Sequence, residues 1–265
     1  MLKTTFLLLG VLAVSAAEPL TIGWTNNMLR ISGPQVPGDY VEIWYLEAFC
    51  RSGSTHRKWE ETTIPHRTEL LSATPQKIRL RTKVEPNVLL EHEISAGVDE
   101  VDFNVTIRNE GKGFADVQWF QPCMRVDRFT GAKQTNYIEK SFIFTQEGVK
   151  LLSKLPRKEE AIYRGGQVYV PEGVPMADVN PRPISEIKPS NAVIGCYSKD
   201  GKRLLATAWD STQELFQGVI VCLHNDPRIG GLKLNETKTL HGKVYIMDND
   251  IPQLLARYRK DFPRK

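Results

Sequence analysis

The chain has 265 residues, 41% of them hydrophobic, with 35 Lys and Arg against 31 Asp and Glu. A balance this near neutrality excludes the dense basic surface of a nucleic-acid binder. Beyond residue 17 no stretch is long and apolar enough to span a bilayer.

Residues 1–17 read as an export signal: Lys3, an apolar run over 6–14, then the small residues Ser15, Ala16 and Ala17, which predict cleavage before Glu18. The expected mature protein is one domain over 18–265, secreted or periplasmic. It carries 34 basic and 31 acidic residues once Lys3 is removed, a charge of +3. Export permits disulfides among Cys50, Cys123, Cys196 and Cys222, but four cysteines allow three full pairings and spacing does not choose between them. Oligomeric state is likewise not fixed by the sequence.

Period two dominates the mature chain. Strands are predicted at 28–32, 40–46, 88–95 and 101–107, the last alternating Val101, Phe103, Val105 and Ile107 with polar residues. Further strands are expected at 115–120, 141–144, 193–198, 204–209, 215–223 and 239–247, with a shorter alternation over 77–81. So many short strands with so few helices predict an all-β protein, a large antiparallel β-sandwich. The segment 155–189 holds six prolines and reads either as a flap over a cleft or as a surface crossover. Asp250, Ile251 and Pro252 open a C-terminal helix whose stripe is Leu254, Leu255, Tyr258 and Phe262. The basic residues Arg257, Arg259, Lys260, Arg264 and Lys265 read as its solvated side and end.

Reactive residues are densest at 47–66, where two His, two Arg, a Cys, a Trp and three carboxylates follow the 40–46 strand. Turn residues Ser52 to Thr55 make this a long loop on a β scaffold. In the strand holding Glu91, His92 and Glu93, His92 shares a face with Val88, Leu90 and Ile94, which fits a core histidine or one lining a cavity. Around Trp119, Gln121, Pro122, Cys123 and Arg125, aromatic and planar polar groups are the materials of a sugar site, and Pro122 is expected to end regular pairing. In the segment Val221 to Arg228, Cys222 and His224 share a face and Pro227 stops the strand, which leaves His224 and Asp226 near a strand end. Cys50, Cys123, Cys222, His224 and His66 offer ligand atoms, but without paired spacing no metal is predicted. No nucleophile elbow and no phosphate-binding Gly loop is present, and no cofactor is expected.

Several of these segments together resemble the galactose mutarotase-like superfamily. The matching segments are Asn27 to Ile31, Val101 to Gly111, Phe120 to Met124, Val221 to Pro227 and Leu232 to Thr237. The resemblance implies a supersandwich of antiparallel sheets with a sugar bound on a concave sheet face, in what looks like an exported bacterial branch. It also places Gln121 where the family's epimerases carry an acid histidine, and His224 where they carry a basic glutamate. The implied reaction is therefore proton abstraction, epimerase-like or lyase-like. His224, with His66 or His92, would move protons. Trp59 and Trp119 would stack on rings, and Arg51, Arg57, Gln121, Arg125 and Asp226 would hold hydroxyls or a carboxylate. The expected partner is a sugar or oligosaccharide. A non-catalytic carbohydrate-binding module and an envelope interaction protein are the alternatives.

Overall fold

The structure, a computed structural model, describes residues 18–263; the export signal read at 1–17 and the terminal Arg264 and Lys265 lie outside the described residues. Seventeen strands follow one another. They are β1 (Thr21–Thr25), β2 (Met28–Ser32), β3 (Tyr40–Cys50), β4 (Thr63–Ile64), β5 (His66–Thr74), β6 (Lys77–Val84), β7 (Val88–Ala96), β8 (Glu100–Asn109) and β9 (Trp119–Arg125). After these come β10 (Ser141–Thr145), β11 (Gly148–Leu151), β12 (Gln167–Tyr169), β13 (Val193–Tyr197), β14 (Arg203–Trp209), β15 (Thr212–Gln217), β16 (Cys222–Pro227) and β17 (Thr237–Asp248).

They form two antiparallel sheets. The first runs β1-β2-β3-β9-β16-β15-β12, with β4 attached to β3. The second runs β11-β10-β13-β14-β17-β8-β7-β6-β5. The alternation in the sequence explains the assembly. In β8, Val101, Phe103, Val105 and Ile107 are buried while Asp102, Asn104, Thr106 and Arg108 are not. The same holds in β6 for Ile78, Leu80 and Val84. Between the sheets Tyr45 and Phe120 of the first meet Phe103 and Trp209 of the second, with ring centroids 5.2 and 5.6 Å apart. Each such ring, fully buried, contributes roughly 1.5–3 kcal/mol. The helix Ile251–Asp261, capped by Asp250 accepting from the Gln253 amide, buries Leu254 beside Phe144, Tyr245 and Met247 on the outer side of the second sheet. Among the described residues no helix is long and apolar enough to cross a membrane.

Three sequence expectations shift. The strand expected to stop at 46 continues to Cys50, so the loop proper spans only 51–62 before β4. The run 215–223 is two strands, β15 and β16, joined by a turn at 218–221 in which the Gly218 amide donates to the Cys222 carbonyl. And β9 runs straight through Pro122. Proline has no amide hydrogen for a ladder, and pairing does lapse there. On one side Trp44 pairs Cys123 and Ala48 pairs Gln121, so Tyr45, Leu46 and Glu47 bulge opposite Pro122 alone. On the other side, β16 pairing reaches Cys123 and goes no further along β9.

Candidate functional site

The chemistry gathers on the outer face of the first sheet, away from the sandwich core. Alternation along β9 puts Gln121 and Cys123 there. Alternation along β16 adds Cys222, His224 and Asp226, and β15 adds Glu214 opposite Asp226. The β3 bulge supplies Glu47, because a bulge re-aims the side chains it carries. His66 ties that bulge in place: its Nε2 donates to the Leu46 carbonyl at 3.2 Å.

His224 is at the centre. Its Nδ1 lies 3.1 Å from the Gln121 amide, 3.8 Å from Asp226 Oδ1 and 4.0 Å from Glu47 Oε2. Its Nε2 lies 3.2 Å from Cys222 Sγ, and the Phe216 ring packs against the imidazole at 4.9 Å. His224, Gln121, Glu214 and Asp226 are all buried; only Glu47, 24% exposed, and the half-buried Arg125 give the cluster an outlet to solvent. Arg125 also lines a neighbouring groove of about 310 Å³ with Tyr40, Glu42 and Arg128.

Burial raises the pKa of the Glu47 carboxyl, and the His224 and Arg125 charges only partly offset it. Glu214 is pushed up to about 7 by burial, against a hydrogen bond from the Asn180 amide. Asp226 is driven well above the usual carboxylate range by burial and by Glu214. Two buried carboxyls this close share one proton, since both cannot ionise together. Burial works against a charged His224, but the Cys123 sulfur and the Glu47 and Glu214 carboxylates outweigh it and raise the imidazole's pKa.

The unpaired polar atoms at this face are mostly acceptors, with Arg125 Nε an unpaired donor at the rim. Apart from the proton that Glu214 and Asp226 share, Glu47 Oε2, Gln121 Oε1, Glu214 Oε1 and both oxygens of Asp226 are buried without a protein donor. Leaving a buried polar atom unpaired costs about 1–3 kcal/mol, so the arrangement is complementary to something rich in donors.

Two covers close over this face. The segment 51–62 brings Trp59 against Trp119, centroids 6.5 Å apart, with Ala48 and Cys50 beneath. The proline-rich 155–189 segment lies beside it, with Val168, Val170 and Val179 packed on Phe216. Asp178 joins the two. Its Oδ1 accepts from the Gly53 amide, its carbonyl accepts from Trp119 Nε1 and Gln213 Nε2, and its Oδ2 pairs with Arg228.

Of the residues singled out in the sequence, His224, Gln121, Asp226 and Arg125 come together. The rest do not join them. His92 sits between the sheets, its Nδ1 on the Tyr45 hydroxyl and its Nε2 on Thr82 Oγ1, with burial lowering its pKa to about 3. His66 holds backbone. Trp119 is fully buried and Trp59 rests on it, so neither is an open platform for a sugar ring. Arg51 and Arg57 bind carbonyls of their own loop and its edge, Thr63 and Ser52. Sequence reading passed over Glu47 and Glu214. For Glu47 the available signal was a carboxylate between the apolar residues Leu46 and Ala48 of an extended β run.

No family model matches the chain, and no curated protein matches it. Solved structures do. A galactose mutarotase-like protein from Lactobacillus casei aligns over 86% of this chain and 99% of its own, with TM-score 0.45 and 9% identity. A galactose mutarotase related enzyme from Lactobacillus acidophilus aligns over 86% and 97%, with TM-score 0.45 and 8% identity. Galactose 1-epimerase from Lactobacillus acidophilus aligns over 88% and 99%, with TM-score 0.39 and 8% identity. These come from the group that the sequence motifs resemble. At such identities they assign no residue of this chain a role.

Proposed function

We propose that this protein is an exported carbohydrate-active protein that takes a sugar on the outer face of its first sheet and moves a proton there between Glu47 and the substrate. The observation that carries the reading is the set of buried acceptor oxygens without donors on Glu47, Gln121, Glu214 and Asp226. A polyol presents several hydroxyl donors within a few ångströms of one another and answers such a set; an apolar ligand does not. Glu47 is the acid–base group because it alone of the three carboxyls reaches solvent. Burial lifts its pKa, and His224 stands beside it to bear the complementary charge. Arg125, at the rim, suits a hydroxyl pair or a uronate carboxylate. For a substrate to enter, the 51–62 and 155–189 covers must part.

The test is a screen of aldoses and uronate-containing polysaccharides. It follows anomeric or C5 proton exchange by NMR and unsaturated products by absorbance. For a turned-over sugar, Glu47→Gln should lower the rate about 10²–10⁴-fold while leaving the fold intact by circular dichroism. Binding that survives the substitution with no turnover in the parent protein would instead favour the binding-module reading. No sugar bound by the parent at millimolar concentration would overturn both.

A further inference from the structure

Below the acceptor cluster the same face holds a second set of groups with a different chemistry. Cys123 on β9 and Cys222 on β16 are diagonal neighbours, because Cys222 pairs Arg125 and Cys123 pairs His224. Cys123 Sγ, Cys222 Sγ and a His224 ring nitrogen all lie within 4.8 Å of one another, and all three residues are buried. Gly218 covers them from the β15–β16 turn. A Cβ there would collide with Cys222 Sγ and stand 3.1 Å from His224 Nε2, so only glycine lets the backbone pass over these atoms.

We infer that Cys123, Cys222 and His224 form a zinc site, with the two sulfurs as thiolates and the imidazole bound through Nε2. Zinc takes sulfur at about 2.3 Å and imidazole nitrogen at about 2.0–2.1 Å. Around one ion those lengths set the ligand atoms about 3.5–4 Å apart, so the three groups reach it by small side-chain rotations. Two further observations support the assignment. The first is the far side of the ring: Nδ1 faces Gln121, Asp226 and Glu47. A metal-bound histidine characteristically donates its other N–H to a carboxylate or carbonyl, which fixes its tautomer. With zinc on Nε2 the proton stays on Nδ1. Rotating the Gln121 amide then puts Oε1 where the nitrogen stands, 3.1 Å from Nδ1, and gives that orphaned oxygen its donor.

The second is charge. Zinc with two thiolates is neutral, which a face already burdened with three carboxyls tolerates, whereas Cu⁺ with two thiolates adds a negative charge. Binding releases two thiol protons to solvent and changes no oxidation state. Three protein ligands leave one position for water. A simple disulfide between Cys123 and Cys222 is the competing use of these sulfurs, but it gives no reason for His224 to aim Nε2 at Cys222. The inference goes beyond the sugar reading and does not depend on it; where both hold, the zinc ion carries the positive charge in place of an imidazolium, and His224 is a neutral N–H donor beside the Glu47 base.

The experiment uses the full chain, reduced and stripped of metal, titrated with Co²⁺ and then Zn²⁺. Expected are one Co²⁺ per chain with thiolate-to-cobalt charge transfer in the near ultraviolet, displacement by Zn²⁺, and release of two protons. Cys123→Ser and Cys222→Ser should each weaken binding at least 100-fold, while Cys196→Ser leaves it unchanged. The parent titration decides the matter even if a cysteine variant folds poorly. No thiolate-to-cobalt band in the parent, a band that persists in both site variants, or a Cys123–Cys222 disulfide in the unreduced protein by mass spectrometry would overturn the inference. Failure of sugar turnover leaves these readouts untouched, so the two proposals fail separately.

Discussion

Two regions of this molecule bury charge, and they do it in opposite ways. Under the C-terminal helix every group has its counterpart. Lys243 contacts Glu100 at 2.7 Å and Asp102 and Asp261 at 3.4 Å. Arg257 meets Asp99 at 2.6 Å and also binds Glu100, Tyr245 donates to Asp261 at 2.8 Å, and His241 bonds Asp102 at 2.9 Å. On the outer face of the first sheet, three carboxyls and the Gln121 amide instead keep oxygens without donors. The first region is a latch that the fold completes by itself. The second is left incomplete by the fold, which is why the proposed sugar site is placed there.

The contrast gives graded expectations. Among the substitutions, cutting the latch should cost most: Lys243→Ala leaves Glu100, Asp102 and Asp261 facing one another and should lower stability by about 3 kcal/mol, read as a shift in urea midpoint at unchanged m-value. His92 tests a third kind of burial, a neutral ring in the core. Its folded pKa is near 3, below the ordinary value of about 6.5. Between those values the unfolded chain takes up a proton that the native chain refuses, so stability is whole above about pH 6.5 and falls toward pH 3 by about 1.4 kcal/mol per unit. A urea series across that range should show the slope, and His92→Gln should flatten it.

Smaller, and opposite in sign, is the effect at the incomplete face. Asp226→Asn supplies an N–H toward Glu214 and should stabilise the ligand-free protein by about 1 kcal/mol while impairing sugar binding. A destabilised Asp226→Asn in thermal unfolding would mean that the orphaned oxygens are already satisfied. Smallest is an exposed pair on the second sheet, Lys77–Glu93, about half exposed on both sides. Lys77→Ala should move the midpoint by less than about 0.5 kcal/mol.

Much of the architecture was legible in the chain because alternation and burial are the same fact seen twice. Val101, Phe103, Val105 and Ile107 could only face a core, and His92 among Val88, Leu90 and Ile94 went with its neighbours rather than with its chemistry. The position of His224 and Asp226 near the end of β16 was legible for the same reason. What sequence could not give was register between strands distant in the chain. Glu47 reaches His224 only because Pro122 breaks the ladder and three residues of β3 bulge across from it. Glu214 meets Asp226, and Cys123 meets Cys222, through pairings that local periodicity does not encode. The tryptophans misled for a related reason: an indole suits a sugar platform or a packed seam equally well, and only the neighbours decide.

Asp178 has a consequence for timing. Through one residue the Gly53 amide, the Trp119 indole and the Arg228 guanidinium are fastened to a segment that is 125 positions from Gly53 in sequence. Groups released by a single event share a single clock. At high pH, where every opening leads to exchange, the Gly53 amide and the Trp119 indole hydrogen should therefore exchange with deuterium at matching rates, set by how often the clasp opens. If the proposed sugar enters by parting these two covers, that rate is also the ceiling on its entry.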